Sequence, residues 1–254
     1  MNHHRQGRGS PLVLIHGIGS RWQVWQPILG TVGLHHDVIA LDLPGFGASK
    51  GDGGPGDVPH LADRVTGFLA GLGVTRPAVA GSSLGGAVAL ELGRRGVARS
   101  VVAFSPAGFF GAAGARWCRG VVSIARDGGA ALGPAMPWLM RTRPGRTVLC
   151  GIFYGKPGRL DPSDCVADAR ALITASGFDA ARRRLGEWRY EKGMADGLPV
   201  TIAWGTRDLV LPCRQAARAR VLLPRARHVR LPGCGHLPFA DDPGTCARLV
   251  LETS

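Results

Sequence analysis

The stretch Val79-Ala80-Gly81-Ser82-Ser83-Leu84-Gly85-Gly86-Ala87-Val88-Ala89-Leu90 constrains this chain more than any other. It predicts a short buried strand, a sharp turn at Ser83, and a helix running to about Arg95. Within Gly81-Ser82-Ser83-Leu84-Gly85, only Ser83 has glycine two residues away on both sides. A turn of that kind lifts a serine hydroxyl out of a sheet. Side chains on its neighbours would collide, so small residues must flank it. The rival Ser82 lacks that spacing. In a chain with 39 glycines the pattern alone is also that of a Gly/Ser turn with no chemistry, so its context has to decide.

That context is an alternation of strands and helices. Strands are expected at Leu12–Ile15, Val38–Leu41, around Val79, and at Arg99–Phe104, Leu198–Trp204 and Arg227–Leu231. The run Leu12-Val13-Leu14-Ile15 is apolar without polar alternation, which suits a strand covered on both faces, as in a parallel sheet. Helices are expected at about Trp22–Gly30, Pro59–Leu72, Pro212–Leu223 and Pro243–Glu252. From about Ala107 to Gly197 the rhythm breaks. Glycine-rich interruptions separate patches of helical spacing such as Asp164–Ser176 and Asp179–Tyr190. The expected fold is therefore α/β, a doubly wound and mostly parallel sheet. Residues 1–106 and 197–254 form its core domain, and 107–196 a helical cap or lid insertion. Only the polar segment Met1–Pro11 precedes the first apolar run, so a first strand is expected to be missing or shortened. His3-His4 reads as the polar tail of a loose terminus.

The 254 residues are 45% apolar, enough for one folded domain with an insertion. The formal net charge is +13, and only Lys50, Lys156 and Lys192 are lysines. A basic surface can attract nucleic acid or anionic membranes. Here the arginines are scattered, apart from Arg182-Arg183-Arg184 and nearby Arg189, and no nucleic-acid-binding signature accompanies them. No nucleic-acid partner is expected. Consecutive arginines on a helix point in different directions, so at most one would meet a substrate carboxylate, and the triplet reads as a solvated face. Cys118, Cys150, Cys165, Cys213, Cys234 and Cys246 form no C-x-x-C pair, and no metal site is expected. No stretch approaches the ~18–20 apolar residues of a membrane span, and the N-terminus does not resemble a signal peptide. A cytoplasmic protein with reduced thiols and no membrane partner is expected. Nothing in the sequence speaks to oligomeric state.

In doubly wound sheets, sites form beyond the carboxyl ends of the strands. His16-Gly17-Ile18-Gly19, Ser83, Asp208 and His236 all stand at such ends, in the order serine, acid, histidine. With Asp42-Leu43-Pro44-Gly45-Phe46-Gly47-Ala48-Ser49, Trp204-Gly205-Thr206-Arg207-Asp208 and Gly235-His236-Leu237-Pro238, the chain resembles the α/β-hydrolase family. Asp241 and Pro243 also match the acid and proline that often follow that family's histidine. The resemblance covers about residues 8–106 and 197–252, with the insertion falling after the family's sixth strand, where its lid usually sits.

The resemblance implies a serine hydrolase that acts on a small acyl substrate through an acyl-enzyme, without a cofactor. Ser83 would be the nucleophile, His236 the base that activates it, and Asp208 the group that holds the imidazole. The backbone N–H groups of Ile18 and Leu84 would form the oxyanion hole. Carbon–carbon bond hydrolysis, cofactor-free perhydrolysis and acyl transfer use the same triad and stay open. So does a ligand-binding protein on a hydrolase scaffold. Each residue also has a plainer reading: His236 as a loop histidine, Asp208 as the cap of a helix near Pro212, and Cys234 as a structural thiol. Asp42 precedes the serine and reads as holding its own turn. Phe109, Phe110, Trp117, Trp138, Leu139, Met140, Phe153 and Tyr154 either line a pocket over Ser83 or pack the insertion onto the sheet, and packing is the preferred reading.

Overall fold

A computed structural model describes residues 1–191, 193–195 and 197–254. Asp196, the last residue of the expected insertion, and Lys192 lie outside them. Among the described residues, strands β1 (His3–Gln6), β2 (Ser10–Ile15), β3 (His36–Leu41), β4 (Ala78–Ser82), β5 (Ser100–Phe104), β6 (Val200–Gly205) and β7 (Arg227–Leu231) form one sheet. Their spatial order is β1-β3-β2-β4-β5-β6-β7. β2 to β7 pair in parallel, and β1 alone runs antiparallel, against β3.

The central strands β4, β5 and β6 are buried along their whole length, as is most of β2 and β3, which is why they are largely apolar. On one face Val13, Ile15, Val79 and Val101 pack under helices α2 (Val58–Gly71) and α3 (Leu84–Arg94). On the other, Leu12, Leu14, Ala78 and Ala80 meet α1 (Gln26–Val32) and α10 (Pro243–Thr253). Each large aliphatic side chain so covered stabilises by roughly 1.5–3 kcal/mol. Asp57 caps α2 by accepting from His60 N at 2.9 Å, and Asp242 caps α10 by accepting from Thr245 N at 3.1 Å.

A four-residue strand, β1, does form in the polar N-terminal segment. The expectation of a loose terminus is overturned. His4 stacks on Trp22 with ring centroids 4.5 Å apart, and Arg5 grips Asp37 through two hydrogen bonds of 2.9 and 2.6 Å. Asn2 donates to Asp42 at 2.7 Å. An edge strand needs only one ladder, and lateral side-chain contacts of this kind replace the apolar run that a central strand would show.

Between β5 and β6 lie α4 (Ala112–Leu132), α5 (Met136–Arg141), α6 (Arg143–Cys150), α7 (Pro162–Thr174) and α8 (Phe178–Arg184). α7 agrees with the spacing of Asp164–Ser176. The helix expected to reach Tyr190 stops at Arg184, just before Gly186, whose φ of +107° no helix can hold. In the helix expected from Pro212, α-helical geometry begins only at α9 (Ala216–Leu222), after a single 3-10 turn. No described helix is long and apolar enough to cross a membrane.

Candidate active site

Ser83 stands between the last residue of β4 and the first of α3, with φ +55° and ψ −116°. A non-glycine residue held there stores about 1–3 kcal/mol of strain. Three main-chain bonds hold it: Ser83 N donates to Phe104 O at 2.9 Å, and Ala107 N and Ala87 N donate to Ser83 O at 3.0 and 3.1 Å. The flanking glycines are required by close approach. A Cβ on Gly81 would collide with the carbonyl of Gly85, and one on Gly85 with the carbonyl of Ile15. Gly17 lies directly over the turn, since a Cβ there would stand 3.0 Å from Ser83 Cβ. Ser83 is 5% exposed, whereas Ser82 is sealed and its hydroxyl has no hydrogen-bond partner among the described residues.

Asp208 follows β6 and His236 follows β7, on the same rim as Ser83 because these strands are parallel. The two loops are tied to each other: Thr206 N donates to Leu231 O at 3.0 Å and Arg207 N to Cys234 O at 2.9 Å. Asp208 divides its carboxylate. Oδ1 accepts from Val210 N and Leu211 N at 2.9 and 2.8 Å, and Oδ2 accepts from His236 Nδ1 at 2.9 Å. It therefore holds its own turn as well as the imidazole. That bond places the imidazole proton on Nδ1 and leaves Nε2 as the free lone pair. Among the described residues, no hydrogen bond joins the Ser83 hydroxyl to this ring. Such bonds commonly tighten only when substrate is bound.

Asp241 anchors the histidine loop. Its carboxylate accepts from Gly235 N at 2.8 Å, from Gly155 N at 2.7 Å and from Lys156 N at 2.8 Å. Lys156 Nζ donates to Asp241 O, and Leu237 N to Phe153 O. Gly155 and Gly235 pack so closely that a Cβ on Gly235 would meet Gly155 N at 2.7 Å. The part played by Phe153–Lys156 had no sequence signature, since apart from Lys156 Nζ it acts through main-chain atoms.

The plainer readings fit Cys234 and Asp42. Burial pushes the Cys234 thiol up to about 11, so it stays protonated at neutral pH. Asp42 accepts from Trp22 N, Ala48 N and Asn2 Nδ2 at 2.7–2.9 Å, bracing its own turn. Buried His16 does similar work. Its Nδ1 donates to Gly17 O at 2.7 Å, while Nε2 accepts from Leu43 N at 3.0 Å. Burial lowers its pKa, and the ring is neutral. It thereby sets the loop that carries Ile18. The Ile18 and Leu84 N–H groups donate to none of the described turn and cap acceptors.

Residues Phe109 and Phe110 are core, at 1% and 2% exposure, whereas Trp117 and Trp138 are exposed. Met140, Phe153 and Tyr154 line a cavity, together with Ile18 and Leu237. Arg182 lies 3.7 Å from Asp179, and Arg184 2.9 Å from Glu187, both on the surface. Among the described residues, no group of three or more His, Cys, Asp or Glu could hold a metal ion.

Residues 12–249 match the alpha/beta hydrolase family. An uncharacterized protein of Mycobacterium tuberculosis is 28% identical over 263 residues, spanning 96% of this chain and 75% of its own. The pimeloyl-[acyl-carrier protein] methyl ester esterase of Nitrosomonas europaea is 26% identical over 261 residues, spanning 93% and 92%. Among solved structures, a membrane phospholipase A described as a bacterial virulence factor superposes with a TM-score of 0.74. It has 26% identity and covers 98% of this chain and 81% of that one.

Proposed function

The chain belongs to the alpha/beta hydrolase family, and from that premise we propose that it is a serine hydrolase cleaving a small carboxylic ester or related acyl compound through an acyl-enzyme. Ser83 Oγ attacks the carbonyl carbon while His236 Nε2 takes its proton. The tetrahedral oxyanion is held by the N–H groups of Ile18 and Leu84. As the ester C–O bond breaks, the imidazolium returns the proton to the leaving alkoxide. Water then repeats the sequence on the acyl-serine, releasing the acid and restoring the hydroxyl. Asp208 keeps the imidazole proton on Nδ1 and stabilises the imidazolium. Residues 107–196 act as the cap over this site.

The observation that carries the reading is the strained φ of buried Ser83, maintained by three main-chain bonds and two obligatory glycines. Strain of that kind persists where the surrounding structure over-determines it, and it clusters at functional sites. The ester-cleaving relative in Nitrosomonas europaea supports the choice of substrate chemistry. The test is a pair of measurements. A fluorophosphonate probe should label Ser83, located by peptide mapping. The Ser83→Ala variant should lose at least ~10³-fold in hydrolysis of p-nitrophenyl esters with its Tm preserved. Equal rates in the two proteins, or labelling elsewhere, would reject Ser83 as the nucleophile. A folded protein that neither labels nor hydrolyses would favour a binding role on this scaffold.

A further inference from the structure

A cavity of about 460 Å³ opens between α4–α7 and the loops that carry Ile18 and His236. Its wall includes Ile18, which supplies one proposed oxyanion donor, and Leu237, the sequence neighbour of His236. The wall also includes Val122, Leu172 and Met140, and it includes Ile124 and Val148, whose 72% and 78% exposure marks its solvent side. No arginine, lysine or histidine lines it among the described residues. Among the described residues, the only Asp, Glu, Arg or Lys side chain on the wall is Asp168, whose Oδ1 accepts from Arg21 Nε at 2.9 Å. Arg21 itself lines a smaller neighbouring cavity of about 250 Å³, not this one.

From these observations we infer that the acyl part of the substrate is an uncharged aliphatic chain of about eight to twelve carbons, seated in this cavity. The inference rests on the serine hydrolase reading above and names its substrate class. The volume falls within the usual ~300–1,000 Å³ range of ligand pockets. At roughly 30 Å³ per small heavy group it holds a chain of that length with some slack. A second carboxylate at the far end of the acyl group would be stripped of water with no cation to meet it. The Arg21 guanidinium is already engaged by Asp168, whose own charge repels another anion. Selectivity against charged chains thus follows from what the wall lacks, and selectivity for length from what it covers.

The test uses the full-length protein on p-nitrophenyl esters from acetate to dodecanoate and on the ω-carboxylated counterpart of the octanoate. Each buried methylene is worth about fourfold. kcat/KM should therefore rise by about 10²-fold from butyrate to octanoate, and the ω-carboxylated ester should fall at least ~10²-fold below the neutral one. Ala169→Phe, or Ala125→Phe if the first fails to fold, places a ring in the cavity. Either should abolish the rise with chain length. A flat profile, a maximum at acetate, or equal rates for charged and neutral chains would overturn the inference and leave the serine mechanism standing. Calorimetry of methyl octanoate with the Ser83→Ala protein separates the two claims. Saturable binding that Ala169→Phe weakens at least tenfold supports the chain site even if no ester is hydrolysed. Absence of binding overturns it.

Discussion

Replacing Asp208 by asparagine tests the proposed chemistry without dismantling the loop. In the native protein Oδ1 holds Val210 N and Leu211 N, and Oδ2 holds the imidazole. An asparagine amide placed at the Oδ1 position would set donors against donors, so the carboxamide oxygen must stay there. Nδ2 then points at His236 Nδ1 and donates to it. The ring must offer a lone pair at Nδ1 and carry its proton on Nε2, where it can no longer accept one from Ser83. Loss of the correct tautomer at such a triad is worth about 10⁴ in kcat, or about 5 kcal/mol of transition-state stabilisation. Because both loop amides keep their acceptor, Tm should move by no more than a few degrees. Asp208→Ala differs: it leaves two buried N–H groups unpaired at about 1–3 kcal/mol each. At about 2–4 °C per kcal/mol its Tm should fall clearly. The assay is steady-state ester hydrolysis beside a thermal melt of each variant. Asp208→Asn retaining more than a tenth of wild-type kcat would refute the tautomer argument. A large loss of activity accompanied by an alanine-like fall in Tm would show that Asp208 matters only as a turn residue.

Two further outcomes follow from the buried polar groups. Asp241→Ala removes the acceptor of three main-chain amides and should cost about 3 kcal/mol or more, lowering Tm by about 6–12 °C. Ester hydrolysis should fall below the level that this loss of stability explains, and an unchanged melt would refute the anchoring role. Acid should also weaken the fold through His16, whose pKa burial lowers in the folded state. The unfolded chain then binds the extra proton, so His16's contribution is complete above about pH 6.5 and is lost as pH falls toward its folded value. The limiting slope is about 1.4 kcal/mol per pH unit. Urea midpoints measured from pH 7.5 to 5.5 should fall, and less steeply in His16→Gln; identical slopes would reject the assignment.

The central sheet was legible because a strand buried on both faces cannot avoid an apolar run, as Leu12–Ile15 and Val101–Phe104 show. β1 was not, because His3, His4, Arg5 and Gln6 are held by one ladder and by contacts with Trp22, Phe68 and Asp37. Nor was α4, whose Gly114, Gly120, Gly128 and Gly129 imitate breaks. Packing of Ala115, Cys118, Val121 and Val122 outweighs their cost of roughly 1 kcal/mol each. At the candidate site, the rim positions of Ser83, Asp208 and His236 could be read from strand ends alone. The division of Asp208's carboxylate could not, because two of its three partners are main-chain amides that carry no residue signature.

The same limit explains why Asp241 matters more than its exposure to substrate would suggest. It faces Gly155 and Lys156 on one side and Gly235 on the other, so a single carboxylate joins the segment after α6 to the loop that carries His236. Leu237 N on Phe153 O adds a second tie, and the close approach of Gly155 to Gly235 leaves no room for either backbone to slide. Phe153 and Leu237 also line the apolar cavity. A chain entering that cavity therefore bears on the residues that orient the imidazole. Under the proposed mechanism, binding energy gathered far from the reacting carbonyl is spent on orientation at it, which is where such energy raises kcat and not only affinity.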